Sequence, residues 1–195
     1  MRIGVLASGQ GTNLQALLDD PEVEVVAVAS DKPDARALDR ARSAGVAAES
    51  FAGYQDRADR DRALAGWLRE RGVDLVVLAG YMQLLSDEFL EEFPQRVINV
   101  HPALLPAFPG LRAVQQALDY GVKVFGVTVH FVDGGVDTGP VILQRAIELP
   151  DARTEDEVLD RLHPIEHELL PMAVRLIARG AVRVEGRRVV VESGP

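Results

Sequence analysis

The feature that most constrains the fold is the alternation of short apolar runs with amphipathic helical patterns along most of the chain. Such runs are typical of strands buried in a parallel sheet, and the helical patterns between them are typical of crossover connections. The pattern predicts an α/β fold: an open, mostly parallel, twisted sheet with helices on both faces, whose C-terminal part is antiparallel. The predicted strands are 3–7, 23–29, 46–51, 74–79, 97–101, 123–132 and 141–148.

The composition limits the classes of function. With 195 residues, 47% of them hydrophobic, the chain can build one core, so we predict a single domain over residues 1–195. A formal net charge of -9 and the lack of a basic tract disfavour a nucleic-acid partner. The absence of cysteine excludes thiolate metal sites, and the histidines are too scattered to indicate a metal centre. No signal peptide or membrane-spanning run is recognisable, so we expect a cytoplasmic protein.

Asn99 and His101 stand at the end of the 97–101 strand, just before a proline-rich loop. Side chains alternate between the faces of a strand, so these two point the same way. Ligands bind beyond the carboxyl ends of parallel strands, and an amide beside an imidazole is suited to stabilising a carbonyl oxygen that becomes an oxyanion. The alternative from this stretch alone is an Asn that stabilises a turn beside a structural His.

A glycine turn, Ser8-Gly9-Gln10-Gly11-Thr12-Asn13, connects the first strand to a helical pattern. Free N–H groups at a helix N-terminus favour anions, so the turn is a candidate phosphate site, with a plain tight turn as the alternative. Asp31 follows the second strand, about 20 residues beyond the glycines, where a nicotinamide-binding fold has its ribose-binding acid. The third glycine of the dinucleotide fingerprint is missing, because position 14 is Leu.

Two further loops are candidates for ligand binding. Residues 80–85 are apolar, which favours either packing against a helix capped by Ser86 or a pocket for a flat apolar ligand. The loop 133–140 is rich in glycine and contains Asp137, although an Asp in such a loop commonly stabilises a turn.

Helical patterns also predict local details. The helix 56–71 is expected to direct Leu64, Trp67 and Leu68 inward, with its Arg and Asp residues on a solvated face. A capping box at 154–157 opens a long helix that runs to about residue 179 and contains Pro164, which should kink it. Residues 182–191 predict a small edge hairpin.

Four motifs resemble those of the glycinamide ribonucleotide formyltransferases, which are folate-dependent enzymes of purine synthesis. They are the glycine turn 8–13, Asn99-Val100-His101-Pro102-Ala103-Leu104-Leu105-Pro106, His130-Phe131-Val132-Asp133 and Val136-Asp137-Thr138-Gly139-Pro140-Val141. The resemblance spans nearly the whole chain. It implies a Rossmann-like formyltransferase fold and transfer of the formyl group of 10-formyltetrahydrofolate to the amine of glycinamide ribonucleotide, without a metal.

The resemblance also implies catalytic roles. Asn99 and His101 would stabilise the tetrahedral oxyanion. Asp137 would orient or charge the imidazole and assist transfer of the proton from the amine to the leaving N10 nitrogen. We expect His130 and Thr128, which share a face of the 123–132 strand, to support this site.

Binding residues follow from the same resemblance. Those implied for the phosphate and ribose of the ribonucleotide are Gly11, Thr12, Asn13 and Glu166. Those implied for the folate are Met82, Gln83, Leu84, Leu85, Asn99, Val136 and Asp137. Residues 1–100 would form a phosphate- and nucleotide-binding half, and residues 101–195 a folate-binding and catalytic half.

The chain departs from the family pattern at Gln83, Ala107 and Pro164. Arg is frequent at position 83, and its absence removes a cation that could meet the folate tail. Lys or Ser is common at position 107, and a proline is unexpected so close to Glu166. These departures concern the binding of folate and ribose and leave the three catalytic candidates unchanged.

Several other functions fit part of the pattern. A formyltetrahydrofolate hydrolase would use water in place of the amine, but an N-terminal regulatory domain would then be expected, whereas the first strand starts at Arg2. A methionyl-tRNA formyltransferase would need a further C-terminal domain and a basic face. An NAD-binding oxidoreductase would explain Asp31 and the glycine turn but not the catalytic candidates, and a non-catalytic nucleotide-binding protein is the remaining alternative. We expect small-molecule substrates and a monomer or homodimer.

Overall fold

The computed structural model describes residues 1–192. Its elements in chain order are β1 (Arg2–Leu6), α1 (Thr12–Leu18), β2 (Glu24–Ser30), α2 (Arg36–Ser43), β3 (Ala47–Ser50), α3 (Arg57–Glu70), β4 (Leu75–Leu78), α4 (Asp87–Glu92), β5 (Val97–His101), α5 (Ala113–Tyr120), β6 (Val124–Phe131), β7 (Val141–Glu148), α6 (Glu155–Ala178), β8 (Val182–Glu185) and β9 (Arg188–Val191).

Strands β1 to β7 form one sheet in the order β3-β2-β1-β4-β5-β6-β7. β1 is parallel to β2 and β4, β2 to β3, and β4 to β5, whereas β6 and β7 are antiparallel. This confirms the predicted mostly parallel α/β sheet with an antiparallel C-terminal part. The chain divides into two compact units, residues 1–99 and residues 100 onward.

In the first unit, the apolar runs form strands that are buried on both faces. Ile3, Val5 and Leu6 of β1 have no exposed surface, and every residue of β4 is buried. Neither face of such a strand contacts solvent, so its sequence is continuously apolar instead of alternating between apolar and polar residues.

Helix α3 corrects one prediction. Leu64 and Leu68 are buried as expected, while Trp67 is half-buried with the Arg71 guanidinium over its ring, 4.1 Å from the centroid. The Arg and Asp residues were expected on a solvated face, yet Arg60 and Asp61 are only 7% and 1% exposed. The expectation was wrong because these two residues neutralise each other as an ion pair, which makes burial of both charges tolerable.

In the second unit, β6 is buried along seven of its eight residues, whereas the edge strand β7 has one buried residue, Ile142, and alternates between half-buried and exposed positions from Leu143 onward. Helix α6 opens with the predicted capping box of Thr154 and Glu157, and it continues unbroken through Pro164 and Pro171. The predicted hairpin is present as β8 and β9, which form a separate two-stranded sheet. Among residues 1–192, no helix combines the length and apolar character needed to cross a bilayer.

Candidate active site

Strand β5 holds the first two predicted catalytic residues. It ends at His101, and Asn99 lies two positions earlier on the same strand, so the alternation of side chains places both on one face. His101 is 5% exposed, and Asn99 is half-buried. The proline that follows His101 lacks a backbone N–H to extend the ladder, and the chain then leaves the sheet.

Asp137 lies between two histidines of the second unit. Its Oδ2 atom is 3.3 Å from Nδ1 of His101, and its Oδ1 atom is 3.5 Å from Nε2 of His130. His130 is 1% exposed, and the Asp137 side chain is 13% exposed. The structure therefore brings His101, Asp137 and the supporting residue His130 together.

In each of these histidines, the ring nitrogen that does not face Asp137 is within hydrogen-bond distance of a backbone carbonyl oxygen. Nε2 of His101 is 2.8 Å from the Phe108 oxygen, and Nδ1 of His130 is 2.8 Å from the Phe131 oxygen. A carbonyl oxygen and an ionised carboxylate both only accept, so a neutral ring can donate to only one of its two partners. An imidazole that donates to both partners carries a hydrogen on each ring nitrogen and is cationic.

The carboxylate of Asp137 is strongly favoured in its charged form. Burial alone would raise its pKa, but the hydrogen bond with His130, the Gly110 N–H at 2.7 Å from Oδ2 and the positive charge of a protonated His101 together lower the pKa to about 2. The carboxylate therefore stays ionised through the physiological range.

The loop 133–140 presents Asp137 in a left-handed backbone conformation, with φ at 54°. Asp and Asn tolerate this region better than other residues with a side chain. Asp133 stabilises the loop by accepting hydrogen bonds from the Thr138 hydroxyl at 2.5 Å and the Gly135 N–H at 3.1 Å. A side chain at Gly139 would place its Cβ 1.8 Å from the Phe131 oxygen, so this close approach of loop and strand requires glycine.

Thr128 supports the chain that follows His101. Its hydroxyl donates to the Ala103 oxygen at 2.6 Å and accepts from the Leu105 N–H at 3.2 Å and from Gln144 at 2.8 Å. Thr128 has no exposed surface, so these bonds are shielded from water. The predicted supporting residue thus fixes the loop rather than touching the histidines.

Sequence reasoning missed Phe108 and Gly110, which bind the site through backbone atoms. Phe108 supplies the carbonyl for His101, and Gly110 supplies the N–H for Asp137. Backbone groups leave no side-chain signature in a sequence. The backbone has positive φ angles at both positions, 53° at Phe108 and 79° at Gly110. Of these two, only Gly110 is a residue type that indicates a positive φ in the sequence.

The glycine turn is built around Gly11, the residue before α1. Gly11 has φ 70°, and an added Cβ would lie 2.8 Å from the Cα of Ala37, so only glycine fits. Gly11 makes no side-chain hydrogen bond that caps α1, which begins at Thr12. The role of this turn in phosphate binding stays a prediction.

The segment 81–86, which we call the apolar loop, exposes two predicted folate-binding residues. Met82 and Leu84 are 53% and 57% exposed, while Leu85 is half-buried. Ser86 caps α4 as predicted, with its hydroxyl accepting from the Phe89 N–H. Exposed apolar side chains on a loop with a fixed backbone form a surface suited to a flat apolar ligand.

Asp31 and Gln83 interact with each other. The Gln83 amide donates to Asp31 Oδ2 at 3.0 Å. Asp31 was the candidate ribose-binding acid of the nicotinamide alternative, and here it accepts a hydrogen bond from the apolar loop. Val136, also predicted to bind folate, is 47% exposed in the second unit.

Glu166 lies on α6 and is 6% exposed. Its neighbour His167 stacks on His163, with ring centroids 6.2 Å apart and planes inclined by 8°. Burial and the adjacent imidazole lower the pKa of His167. Within residues 1–192, no group of three or more His, Asp or Glu residues is arranged to hold a metal ion.

A protein-family model described as formyl transferase matches residues 1–174. The match covers most of the chain, and solved structures of similar fold carry formyltransferase names. The chain therefore belongs to the formyl transferase family and is an enzyme of the transferase class.

Similarity to individual proteins is more specific. The chain is 50% identical to glycinamide ribonucleotide transformylase 1 from Symbiobacterium toebii, whose crystal structure superposes with a TM-score of 0.96, covering 99% of this chain and 94% of that one. It is 41% identical over 193 residues to the trifunctional purine biosynthetic protein adenosine-3 of Drosophila melanogaster, covering 94% of this chain and 14% of that protein. These similarities confirm the resemblance to the phosphoribosylglycinamide formyltransferases.

A more distant relative has a different name. The crystal structure of formyltetrahydrofolate deformylase from Burkholderia mallei superposes with a TM-score of 0.87 at 28% identity, covering 98% of this chain and 70% of that one. The fold by itself therefore does not separate formyl transfer to an amine from deformylation.

Proposed function

We propose that the protein transfers the formyl group of 10-formyltetrahydrofolate to the amine of glycinamide ribonucleotide, a step of purine synthesis in the cytoplasm. The observation that carries the proposal is the position of Asp137 against His101, which shares strand β5 with Asn99. Such a group can stabilise an oxyanion and move a proton near neutral pH.

In the proposed reaction, the amine nitrogen attacks the formyl carbon and the carbonyl electrons move to its oxygen. The Asn99 amide and a cationic His101 stabilise this oxyanion, with the oxygen replacing the Phe108 carbonyl as acceptor of the Nε2 hydrogen. Removal of one oxyanion donor typically costs about 3 kcal/mol of transition-state stabilisation.

The intermediate collapses when the carbon–N10 bond breaks. The attacking amine loses a proton and the leaving N10 nitrogen gains one, so the transfer is balanced without a further reactant. One carboxylate oxygen of Asp137 contacts His101, and His130 contacts the second oxygen of the same carboxylate. We assign proton transfer to the His101 and Asp137 pair and a supporting role to His130.

Substrate binding is proposed for separate segments. Gly11, Thr12 and Asn13 bind the phosphate, because α1 begins there without a side-chain cap. Glu166 binds the ribose. The pteridine ring contacts the segment 82–85, where exposed apolar side chains offer a surface.

The test is an absorbance assay of the purified protein with 10-formyltetrahydrofolate, with and without glycinamide ribonucleotide. Consumption of the formyl donor that requires the amine supports the proposal. Consumption at the same rate without the amine would instead identify a hydrolase, and absence of consumption in both reactions would refute formyl transfer.

A further inference from the structure

Arg60 and Asp61 of α3 form an ion pair buried beside the apolar loop. Nη2 of Arg60 lies 2.7 Å and its Nε 2.8 Å from Asp61 Oδ1, and the side chains are 9% and 1% exposed. Surface pairs on the same helix behave differently: Arg62 and Asp59 are 75% and 66% exposed. Burial of charge is unfavourable unless hydrogen bonds satisfy the charged groups, so the partners of the buried pair are informative.

Those partners are all in the apolar loop. Arg60 donates to the Leu84 oxygen at 2.8 Å and to the Gln83 side-chain oxygen at 3.2 Å. Asp61 uses its other oxygen, Oδ2, to accept from the Ser86 N–H at 2.6 Å. Each charged group therefore connects α3 to the backbone of the loop.

A third contact completes the fixation. The Met82 N–H donates to the Ser8 hydroxyl at 2.8 Å. The backbone is thus held at 82, 84 and 86, while the side chains of Met82 and Leu84 remain exposed. Anchoring alternate residues of a loop removes backbone freedom without covering the apolar surface that it presents.

Gln83 fits this arrangement because an amide both donates and accepts. It donates to Asp31 and accepts from Arg60, so it sits between an anion and a cation. An arginine at position 83 could only donate and would face the Arg60 guanidinium. The departure at Gln83 is therefore chemically matched to the presence of Arg60.

We propose that the Arg60 and Asp61 pair positions the apolar loop and thereby sets the affinity for the formyl donor. This inference rests on the proposed function, because it uses the assignment of the pteridine ring to 82–85. Neither residue touches the reacting atoms, so both are positioning residues. The pair should affect binding of the donor and leave the chemical step and the amine substrate unaffected.

The main variant replaces both charges by apolar residues, Arg60→Met with Asp61→Leu, because removal of one partner alone would leave a buried unpaired charge. The matched control is Arg62→Met with Asp59→Asn, which removes the exposed pair from the same helix. A second variant, Arg60→Lys, keeps a positive charge beside Asp61 but lacks the planar fork that reaches both Leu84 and Gln83.

We expect the folded double variant to raise the KM for 10-formyltetrahydrofolate at least about tenfold, with kcat at saturating donor and the KM for the amine within about twofold. Arg60→Lys should raise the donor KM by a smaller factor, and the control should match the wild type. An unchanged donor KM in the folded double variant would overturn the proposal. If the double variant does not fold, an unchanged donor KM in Arg60→Lys would overturn it. So would a fall in kcat without a change in donor KM.

Hydrogen exchange of the peptide 80–86 provides a readout that needs no activity. Exchange should accelerate in both Arg60 variants and not in the control, and equal protection in all proteins would overturn the positioning role. A wild-type protein that transfers no formyl group would refute the proposed function, whereas this exchange comparison would still report whether the pair anchors the loop.

Discussion

Nδ1 of His101 lies 3.3 Å from Oδ2 of Asp137. The opposite ring nitrogen lies 2.8 Å from the Phe108 oxygen, which also only accepts, so both contacts are hydrogen bonds only when a proton lies between ring and carboxylate as well. A carboxylate that remains ionised stabilises that proton on the ring. The geometry therefore satisfies both acceptors only when the imidazole carries a hydrogen on each nitrogen.

The first prediction concerns turnover. Asp137→Asn keeps the shape of the side chain and suits the left-handed backbone, but it removes the charge that stabilises a cationic His101. We expect kcat to fall by at least about a hundredfold, the lower end of general acid–base contributions, with substrate affinities close to normal. Steady-state kinetics and direct binding measure the two effects. Turnover within threefold of the wild type would contradict the role of Asp137.

The second prediction concerns stability against pH. The pKa of Asp137 falls from its ordinary value of 3.8 to about 2 in the folded protein, so its ionisation stabilises the fold above pH 4, and this contribution disappears as the pH falls through 2. Urea unfolding of the wild type and Asp137→Asn should differ by roughly 2 kcal/mol at pH 7 and converge near pH 2. A difference that does not depend on pH would show that ionisation is not its source.

The third prediction uses matched glycines of one turn. Gly11→Ala combines a left-handed φ with a Cβ 2.8 Å from the Ala37 Cα, so we expect a loss of roughly 2–4 kcal/mol in unfolding free energy and weaker phosphate binding. Gly9→Ala meets nothing within 4 Å and should change stability little. Thermal or urea unfolding of both proteins provides the comparison, and equal losses would refute the steric explanation.

The fourth prediction concerns Tyr81. Its hydroxyl oxygen is buried without a hydrogen-bond partner among residues 1–192, and burial, reinforced by Asp31 and Asp61 against the opposing effect of Arg60, raises its pKa to about 12. Tyr81→Phe removes an unsatisfied polar group, so the unfolding free energy should stay unchanged or rise by up to about 1 kcal/mol. A clear loss of stability would show that the hydroxyl is bonded, for example to a buried water.

Much of the fold could be predicted because local signals and tertiary structure agree. The apolar runs of β1 and β4 are enclosed on both faces, and the capping box at Thr154 satisfies N–H groups of a helix that would form there on propensity alone. Asn99 and His101 were recognisable because strand periodicity fixes their common face. The pairing of His101 with Asp137 could be predicted only from a motif resemblance, because the separation of two residues in the sequence does not indicate their distance in the fold.

The parts that could not be predicted depend on tertiary partners. The sequence pattern predicts that Arg60 and Asp61 are exposed to solvent, because nothing in the helix 56–71 indicates that both contact the backbone of a later loop. The site uses the backbone carbonyl of Phe108 and the backbone N–H of Gly110. Every residue has a backbone carbonyl and every residue except proline has an N–H, so only the folded structure shows which of these groups contact the site.

The strand order β3-β2-β1-β4-β5-β6-β7 has a consequence for biosynthesis. β1 is synthesised first and ends up in the interior of the sheet, β2 and β3 extend one side, and β4 to β7 extend the other. Each strand leaving the ribosome is therefore added to an edge that already exists, and none has to be inserted between two paired strands. The sheet can grow in the order of translation, which limits the time that unpaired apolar strands spend exposed to aggregation.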